Sequence, residues 1–480
     1  MNFCKTQQRV RTMLFASLLS AMLSSVQAAD KALLDVLMEN GVITQEQYDG
    51  LMKKETLGVE DVFPAPQVTE TQTEEYIDTA VADAVSAKID EEFPVKASHG
   101  SSGFRFETAD GNFQTNLQWR AQMRATTPYR SDPRQLGNLA GGDQNNFEAR
   151  RLRMKIGGHG FQPWLKYYFE VDMQPSRDTD DGSSSSAARV IDYRIDVAKW
   201  DWGGFRVGQW KIDHNRERVD SSGRQQFVER SIVNRQFTID RQLGVQIRGR
   251  AFKETAADLR YYAGVFNGEG RSVNNADSNL MYTGRLQWNF MGRDLAWRQT
   301  DVDFTELPTG SLAFAGMTTE GPCTRWSSSG CGNLDGFASP ASAASDQFKI
   351  EQWVQELAFK YRGFSFQQEY HQKNIVDRVE GTDNDMKGLY VQSGYFLSNI
   401  IEGFPAPLEL AARYAYVEEP NRTDRSVNNK RKEYTVGLNW FFSGHNNKIT
   451  LDYSHLTIDD GLAGLSDSDD RIRLQWDVSF

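Results

Sequence analysis

From residue 112 onward the chain alternates apolar and polar positions with a period of two, the signature of strands whose two faces meet different media. The last eleven residues show it most cleanly. Ile472, Leu474, Trp476, Val478 and Phe480 interleave with Arg471, Arg473, Gln475, Asp477 and Ser479. An aromatic at the final position after such a run fits the closing strand of a bacterial outer-membrane barrel. The same pattern recurs near 112–124, 147–158, 163–173, 189–200, 204–210, 241–252, 257–267, 280–290, 294–305, 350–361, 363–373, 386–397, 407–418, 432–442, 446–457 and 470–480. That predicts an all-β fold, a 16-stranded antiparallel transmembrane β-barrel. Short connections at 158–163, 202–204, 291–294, 362–363 and 443–447 alternate with long polar ones such as 125–146, 211–240 and 306–349. Short turns at one end and long loops at the other are how such barrels are built. About 16 strands leave an aqueous channel, where about eight are filled by side chains.

Upstream the pattern differs. Lys5, Arg9 and Arg11 precede an apolar stretch at 13–23, and Val26, Gln27 and Ala28 form a cleavage site, so 1–28 reads as a signal peptide. Residues 29–99 read as a short helical periplasmic segment. Two helices are expected over 31–54, separated by Asn40 and Gly41, with a capping box at Thr44 to Gln47. Between 73 and 92 near-heptad spacing of Ile77, Val81, Ala84 and Lys88 suggests either a self-associating helix or a solvated acidic linker. Residues 100–480 form the barrel domain.

Composition narrows the class. Mean hydropathy is −0.59, and no run after the leader reaches the roughly 18 apolar residues of a membrane helix. A barrel escapes that test because half of each strand faces water. The net charge of −11 is local: residues 30–98 hold sixteen acids against five bases, whereas 99–480 holds 49 acids against 46 bases. Nothing in that balance points to nucleic acid. Cys323 and Cys331 lie in a Gly/Ser-rich stretch without neighbouring ligands, so a loop disulfide is expected rather than a metal site, and no cofactor is implied.

Strand parity turns bases into the lumen: Arg120, Arg124, Arg151, Arg153, Lys155, Arg194, Arg248, Arg250, Arg285, Arg413, Arg471 and Arg473. Guanidinium forks hold tetrahedral oxyanions and stay charged, so a row of them suits anion passage. The bland alternative is a solvated lumen whose inward Asp192, Asp196 and Asp452 pair with these arginines. The connection 211–240 is too long for a plain hairpin and carries Arg216, Arg218, Arg224, Arg230 and Arg235 with Ser221 and Ser222. Folded inward, it sets the narrowest point.

The run Ala149 to Gly158, then Trp164 to Tyr167, Val207 to Gln209, and Glu217, Arg218, Ser221, Ser222, Glu229 and Arg230, resembles the phosphate-selective porins of the O and P type, from about Gly103 to the C-terminus. The resemblance implies a homotrimer in the outer membrane, embedded in lipid, whose inward loops and arginines pass small anions such as phosphate or polyphosphate. It places Arg120, Arg151 and Arg230 among pore arginines, Ser221 and Ser222 among loop serines and Asp192 as a constriction acid. Arg218 stands where phosphate-selective members carry lysine and Arg153 where they carry tyrosine, which enlarges or recharges the narrow zone. Two other classes compete with a channel. A barrel-embedded lipase needs a nucleophile beside a base, yet Ser454 and His455 fall on opposite faces of one strand and His371 has only Tyr370 and Gln372 beside it. A structural tether would work through residues 29–98.

Overall fold

The computed structural model describes residues 38, 44, 45, 48, 49, 95–128, 145–174, 188–275, 277–328 and 330–480. The chain divides into two compact units, 1–84 and 85–480. In the first, Met38, Gln45, Tyr48 and Asp49 are helical, and the Tyr48 amide donates to the Thr44 carbonyl at 2.9 Å, which agrees with a helix starting at the Thr44 cap. The leader and the heptad stretch 73–92 lie outside the described residues.

The second unit is a closed barrel of sixteen strands preceded by a hairpin, β1 (Val95–Gly100) and β2 (Gly103–Thr108). The barrel runs β3 (Gln114–Thr127), β4 (Asn146–Gly160), β5 (Gln162–Asp172), β6 (Arg189–Trp200), β7 (Gly203–Lys211), β8 (Arg241–Ala251), β9 (Leu259–Phe266), β10 (Met281–Trp288) and β11 (Thr309–Gly321). After a small hairpin, β12 (Arg325–Ser327) and β13 (Gly330–Gly332), it continues through β14 (Phe348–Tyr361), β15 (Phe364–Asp377), β16 (Thr382–Phe396), β17 (Leu408–Pro420), β18 (Asn428–Ser443), β19 (Asn447–Asp460) and β20 (Leu465–Ser479). Every neighbour is antiparallel, and β20 closes on β3 from Ile472 opposite Thr127 to Ser479 opposite Arg120. Below that closure β2 takes over as the partner of β3, pairing Phe104 with Leu117. Gly103 sits at the changeover with φ +86, where a Cβ would fall 2.2 Å from the Leu117 carbonyl oxygen, so only glycine fits. The strand pattern therefore begins at Val95, inside the segment expected to be helical.

The strand count is as expected, but one strand is misplaced. Residues 294–305 are not a strand; they belong to the connection 289–308, which replaces the short turn expected at 291–294. Asp301 accepts hydrogen bonds from the Thr305 amide at 3.1 Å and the Gly363 amide at 2.7 Å, and Phe304 takes φ +53, so local side-chain bonding turns the chain instead of extending it. The missing strand is β11, inside what reads as a long polar loop. Its inward residues Ala313, Ala315 and Met317 are apolar, which erased the alternation.

They are apolar because that side of the lumen is filled. The connection 212–240 carries two short helices, α1 (Arg216–Val219) and α2 (Ile232–Phe237), and lies inside the barrel with nearly all its residues buried. Ile232, Val233 and Phe237 pack with Trp326 and Leu334 of the connection 322–347 and with Phe348, Ile350, Met386 and Tyr390 of the wall. Cys323 and Cys331 are bonded, their Cα atoms 5.6 Å apart, and brace the same connection. Elsewhere the outer face is greasy: on β18, Tyr434, Val436, Leu438, Trp440 and Phe442 point outward and are exposed.

Candidate functional site

Parity places the expected lumen arginines correctly, yet most have a carboxylate partner. Arg153 Nη1 donates to Glu170 at 2.9 Å and its Nε to Asp172 at 3.3 Å. Arg124 meets Glu229 at 2.8 Å, Arg248 meets Asp213 at 3.1 Å, and Arg473 meets Asp452 at 2.8 Å. Arg250 reaches Asp258 at 2.8 Å, Arg285 reaches Glu356 at 2.8 Å, Arg413 reaches Glu433 at 3.1 Å and Arg194 reaches Asp196 at 3.4 Å. Arg218 pairs with Asp240. Asp192, expected as a constriction acid that could pair with inward arginines, is held by Arg241 through bonds of 2.8 and 3.1 Å. The alternative of internal neutralisation therefore holds for much of the wall. Buried cations need such partners, because desolvating a lone charge costs several kcal/mol.

Other wall cations serve the inward loop. Lys211 Nζ donates to the carbonyls of Arg218, Val219 and Asp220 at 2.8–3.0 Å. Arg230 turns back on its own loop, its Nε donating to the Glu217 carbonyl and its Nη2 to the Asp220 carbonyl, both at 2.7 Å. Arg120 donates to Ser222 Oγ at 3.2 Å and Ser221 Oγ at 3.4 Å, with Asp477 at 3.5 Å. A Cβ on Gly223 would lie 2.6 Å from the Arg120 guanidinium carbon, so the absent side chain lets the loop tip rest on that arginine.

Several of these cations, with others not yet placed, converge. Between the loop 212–240 and the wall from β4 to β8 lies a narrow cavity of ≈ 30 Å³. Arg151, Arg153, Arg218 and Arg230 line it, all expected constriction residues, and Ser222 joins them. Arg189, Lys211, Arg241 and Arg271 complete a set of eight cationic side chains against a single lining carboxylate, Asp172. Nε and Nη1 of Arg271 are buried with no partner among the described residues. Arg151 donates to Gln122 Oε1 at 2.9 Å and has Glu229 3.8 Å away. Lys155, bonded to Gln118 Oε1 at 3.0 Å, and Arg471, whose Nε and Nη2 have no partner among the described residues, lie outside the cavity lining. Sequence reasoning missed half of the set. Arg189, Lys211 and Arg241 stand at strand ends, and a bulge opposite Glu170 and Val171 breaks parity near Arg189, while Arg271 and Ser328 sit in loops without periodicity. A second bulge in β4, opposite Gln122 and Met123, lets Arg150 as well as Arg151 reach inward, its Nε donating to Glu229 at 2.9 Å.

The enzyme alternative gains nothing. Ser454 is buried in the lumen while His455 faces outward onto Asp470 at 2.7 Å, and His371 Nε2 lies 2.9 Å from Glu369 inside the barrel. Glu269, Cys323 and Cys331 form the one metal-ligand grouping among the described residues, and both cysteines are spent in the disulfide.

A closed sixteen-stranded barrel with an apolar outer band, a polar lumen and a long connection folded into it defines an outer-membrane porin, a channel rather than an enzyme. Residues 129–480 match the family model described as phosphate-selective porin O and P, and the chain belongs to that family. An uncharacterized protein of Aquifex aeolicus is 23% identical over 344 residues, 66% of this chain and 76% of that one. Among solved structures the fold resembles an anion-selective porin from Comamonas acidovorans, at 12% identity and TM-score 0.49, covering 76% of this chain and 99% of that one. Salmonella typhi OmpF in complex with daunomycin is similar to the same degree, at 12% identity and TM-score 0.49 over 78% of this chain and 100% of that one.

Proposed function

We propose that this porin passes small anions by diffusion, with phosphate or polyphosphate as the favoured solute, and that the basic cavity beside the inward loop is where the anion pauses. The observation that carries the reading is the gathering of eight cationic side chains around that cavity with one lining carboxylate: Arg153, Arg218 and Arg241 also meet Glu170, Asp240 and Asp192 outside the lining, while Arg271 keeps two buried nitrogens without a partner among the described residues. A charge in such a place attracts oxyanions through a partly desolvated field, stronger than the same charges in water. Several forks around one cavity bind without trapping, because an anion leaving one guanidinium meets the next. On this reading three copies assemble in the outer membrane with residues 29–99 on the periplasmic side.

The test is the zero-current potential across a planar bilayer under a salt gradient, with and without phosphate. The expected result is anion selectivity with chloride current reduced by phosphate. Arg271→Glu and Arg189→Glu together should cut the anion-to-cation permeability ratio several-fold, whereas Arg250→Gln, whose arginine is spent on Asp258, should leave it nearly unchanged. Weak or cation selectivity in the unaltered protein overturns the reading. A second reading, an anion pore without phosphate preference, is favoured by the engagement of Arg153 with Glu170 and Asp172. Anion selectivity without phosphate block would select it.

A further inference from the structure

At the end of the barrel where the short turns lie, the outer face carries a groove of ≈ 890 Å³ between the connection 289–308, the turn from β14 to β15 and the chain that follows β16. One wall is aromatic. Tyr361 of β14, Phe364 of β15 and Tyr395 of β16 all stand at outward positions, with the Phe364 and Tyr395 rings 6.3 Å apart. Phe304 and Ile400, both exposed, extend the apolar surface from the two connections. An aromatic girdle explains this much, since amphipathic rings settle where hydrocarbon meets headgroups. It does not explain the charges.

Two lining residues, Phe304 at φ +53 and Arg362 at φ +46, hold left-handed backbone, which any Cβ makes unfavourable and a bulky side chain more so. Arg362 is followed by Gly363 at φ +81, and the pair makes a two-residue hairpin turn whose first place asparagine or aspartate takes with less strain. The turn needs that backbone but not an arginine. The Arg362 amide donates to the Thr305 carbonyl at 2.8 Å and its carbonyl accepts from Asn399 Nδ2 at 3.1 Å, so both connections are fastened through its main chain. The side chain is left over. Its guanidinium lies 5.3 Å from the centroid of the Tyr361 ring and has no carboxylate or other hydrogen-bond partner among the described residues. Glu306, exposed on the same groove, has none either. Two opposite charges therefore share the groove without pairing, at a place where strained backbone persists, and strain of this kind collects at ligand sites.

We propose that the groove seats a single glycerophospholipid of the periplasmic leaflet and reads its headgroup. Arg362 takes the phosphate, for which a guanidinium fork is suited, and Glu306 takes a protonated primary amine, as in phosphatidylethanolamine. The aromatic wall takes the start of the acyl chains. A purely anionic headgroup would leave Glu306 facing like charge, so the pair of unmatched charges selects the zwitterion. The groove lies outside the lumen, so the site stands apart from the anion reading, and the conductance of the channel reports folding independently of lipid binding.

The test uses the whole protein, extracted from outer membranes, stripped of lipid in mild detergent and offered phosphatidylethanolamine or phosphatidylglycerol of matched acyl chains, with retention read by native mass spectrometry. Phosphatidylethanolamine should be held in a one-to-one ratio with the chain and several-fold better than phosphatidylglycerol. Glu306→Gln should abolish that preference while lipid still binds. Arg362→Glu should lose both lipids several-fold, and Arg362→Asn, which suits the turn better, should lose them too while its thermal midpoint rises. Arg105→Glu, an exposed β2 arginine paired with Glu107 at 2.8 Å, should change neither retention. Equal retention of the two lipids by the unaltered protein, or a preference for phosphatidylglycerol, overturns the proposal. Undiminished retention in Arg362→Asn overturns it as well, and a loss in Arg105→Glu as large as in Arg362→Glu would show that net charge alone governs binding and refute the site.

Discussion

Glu217 holds the inward loop in register and does so as a buried acid. Its carboxylate accepts from the Ser231 amide at 2.7 Å and the Ser231 hydroxyl at 2.8 Å, and Arg413 lies 3.8 Å away. Burial pushes its carboxyl up to about 7; Arg413 opposes that shift and nearby Glu369 adds to it. The folded protein therefore binds a proton here that the unfolded chain has already lost above about pH 4.3. The stabilising contribution is complete below that value and declines as pH rises through about 7. Asp240 does not cancel it, because Arg218 and Arg241, working against burial, pull that carboxyl down to about 2 and keep it charged across the window. Thermal midpoints should fall between pH 4.5 and 7.5 by an amount worth on the order of 2 kcal/mol, and Glu217→Gln should flatten that slope. A midpoint rising with pH through the window, or an unaltered slope in the variant, would sink the assignment.

The loop 212–240 is tied to the wall by lysines that donate to its backbone, and this decides what removing them does. Lys448 Nζ donates to the Gln225 carbonyl, and Lys373 Nζ donates to the Gln236 carbonyl at 3.2 Å and to the Thr324 carbonyl of the connection 322–347. Lys373→Met leaves two buried carbonyls unmatched, which costs ~1–3 kcal/mol each at most. The loop should then be cut faster by protease at the extracellular mouth, and single-channel records should become noisier without a change of selectivity, since Lys373 is not in the basic cavity. Quiet records with unaltered proteolysis would show that the apolar packing of Phe237 and Trp326 alone holds the loop. These ties also explain what the sequence hid. Alternation reveals which way a side chain points, so Arg151, Arg153 and Arg473 were legible as lumen residues. It says nothing about what that side chain meets across the lumen, so Arg124 with Glu229, 105 residues on, or Arg285 with Glu356, 71 residues on, was not. Where the lumen is filled with apolar side chains the inward face loses its polarity, and β11 vanished into a loop for that reason. Where a turn is made by Asp301 bonding its neighbours, as at 294–305, a false strand took its place.

At the scale of the whole molecule, the barrel is closed by residues of the second unit alone. The pairing of β20 with β3 and of β2 with β3 needs nothing before Val95, and the 16-strand count came out right because the false strand at 294–305 stands in for the missed β11. Deleting residues 29–94 while keeping 1–28 should therefore leave a channel of unchanged conductance and ion preference. Extending the deletion to 29–112 removes β2 as well. It strips Leu117 and Asn116 of their partners on β2, leaving those on β4, and uncovers the lower edge of β3 below the Trp119 pairing with Phe480, whose amide-to-carbonyl bonds are 2.9 and 3.1 Å. An unpaired edge in that position exposes backbone groups and costs stability, so the longer deletion should lower the thermal midpoint where the shorter one does not. If the shorter deletion instead abolishes conductance, the N-terminal unit belongs to the channel. If conductance survives but the membrane detaches from the cell wall, that unit is a tether and the barrel its anchor.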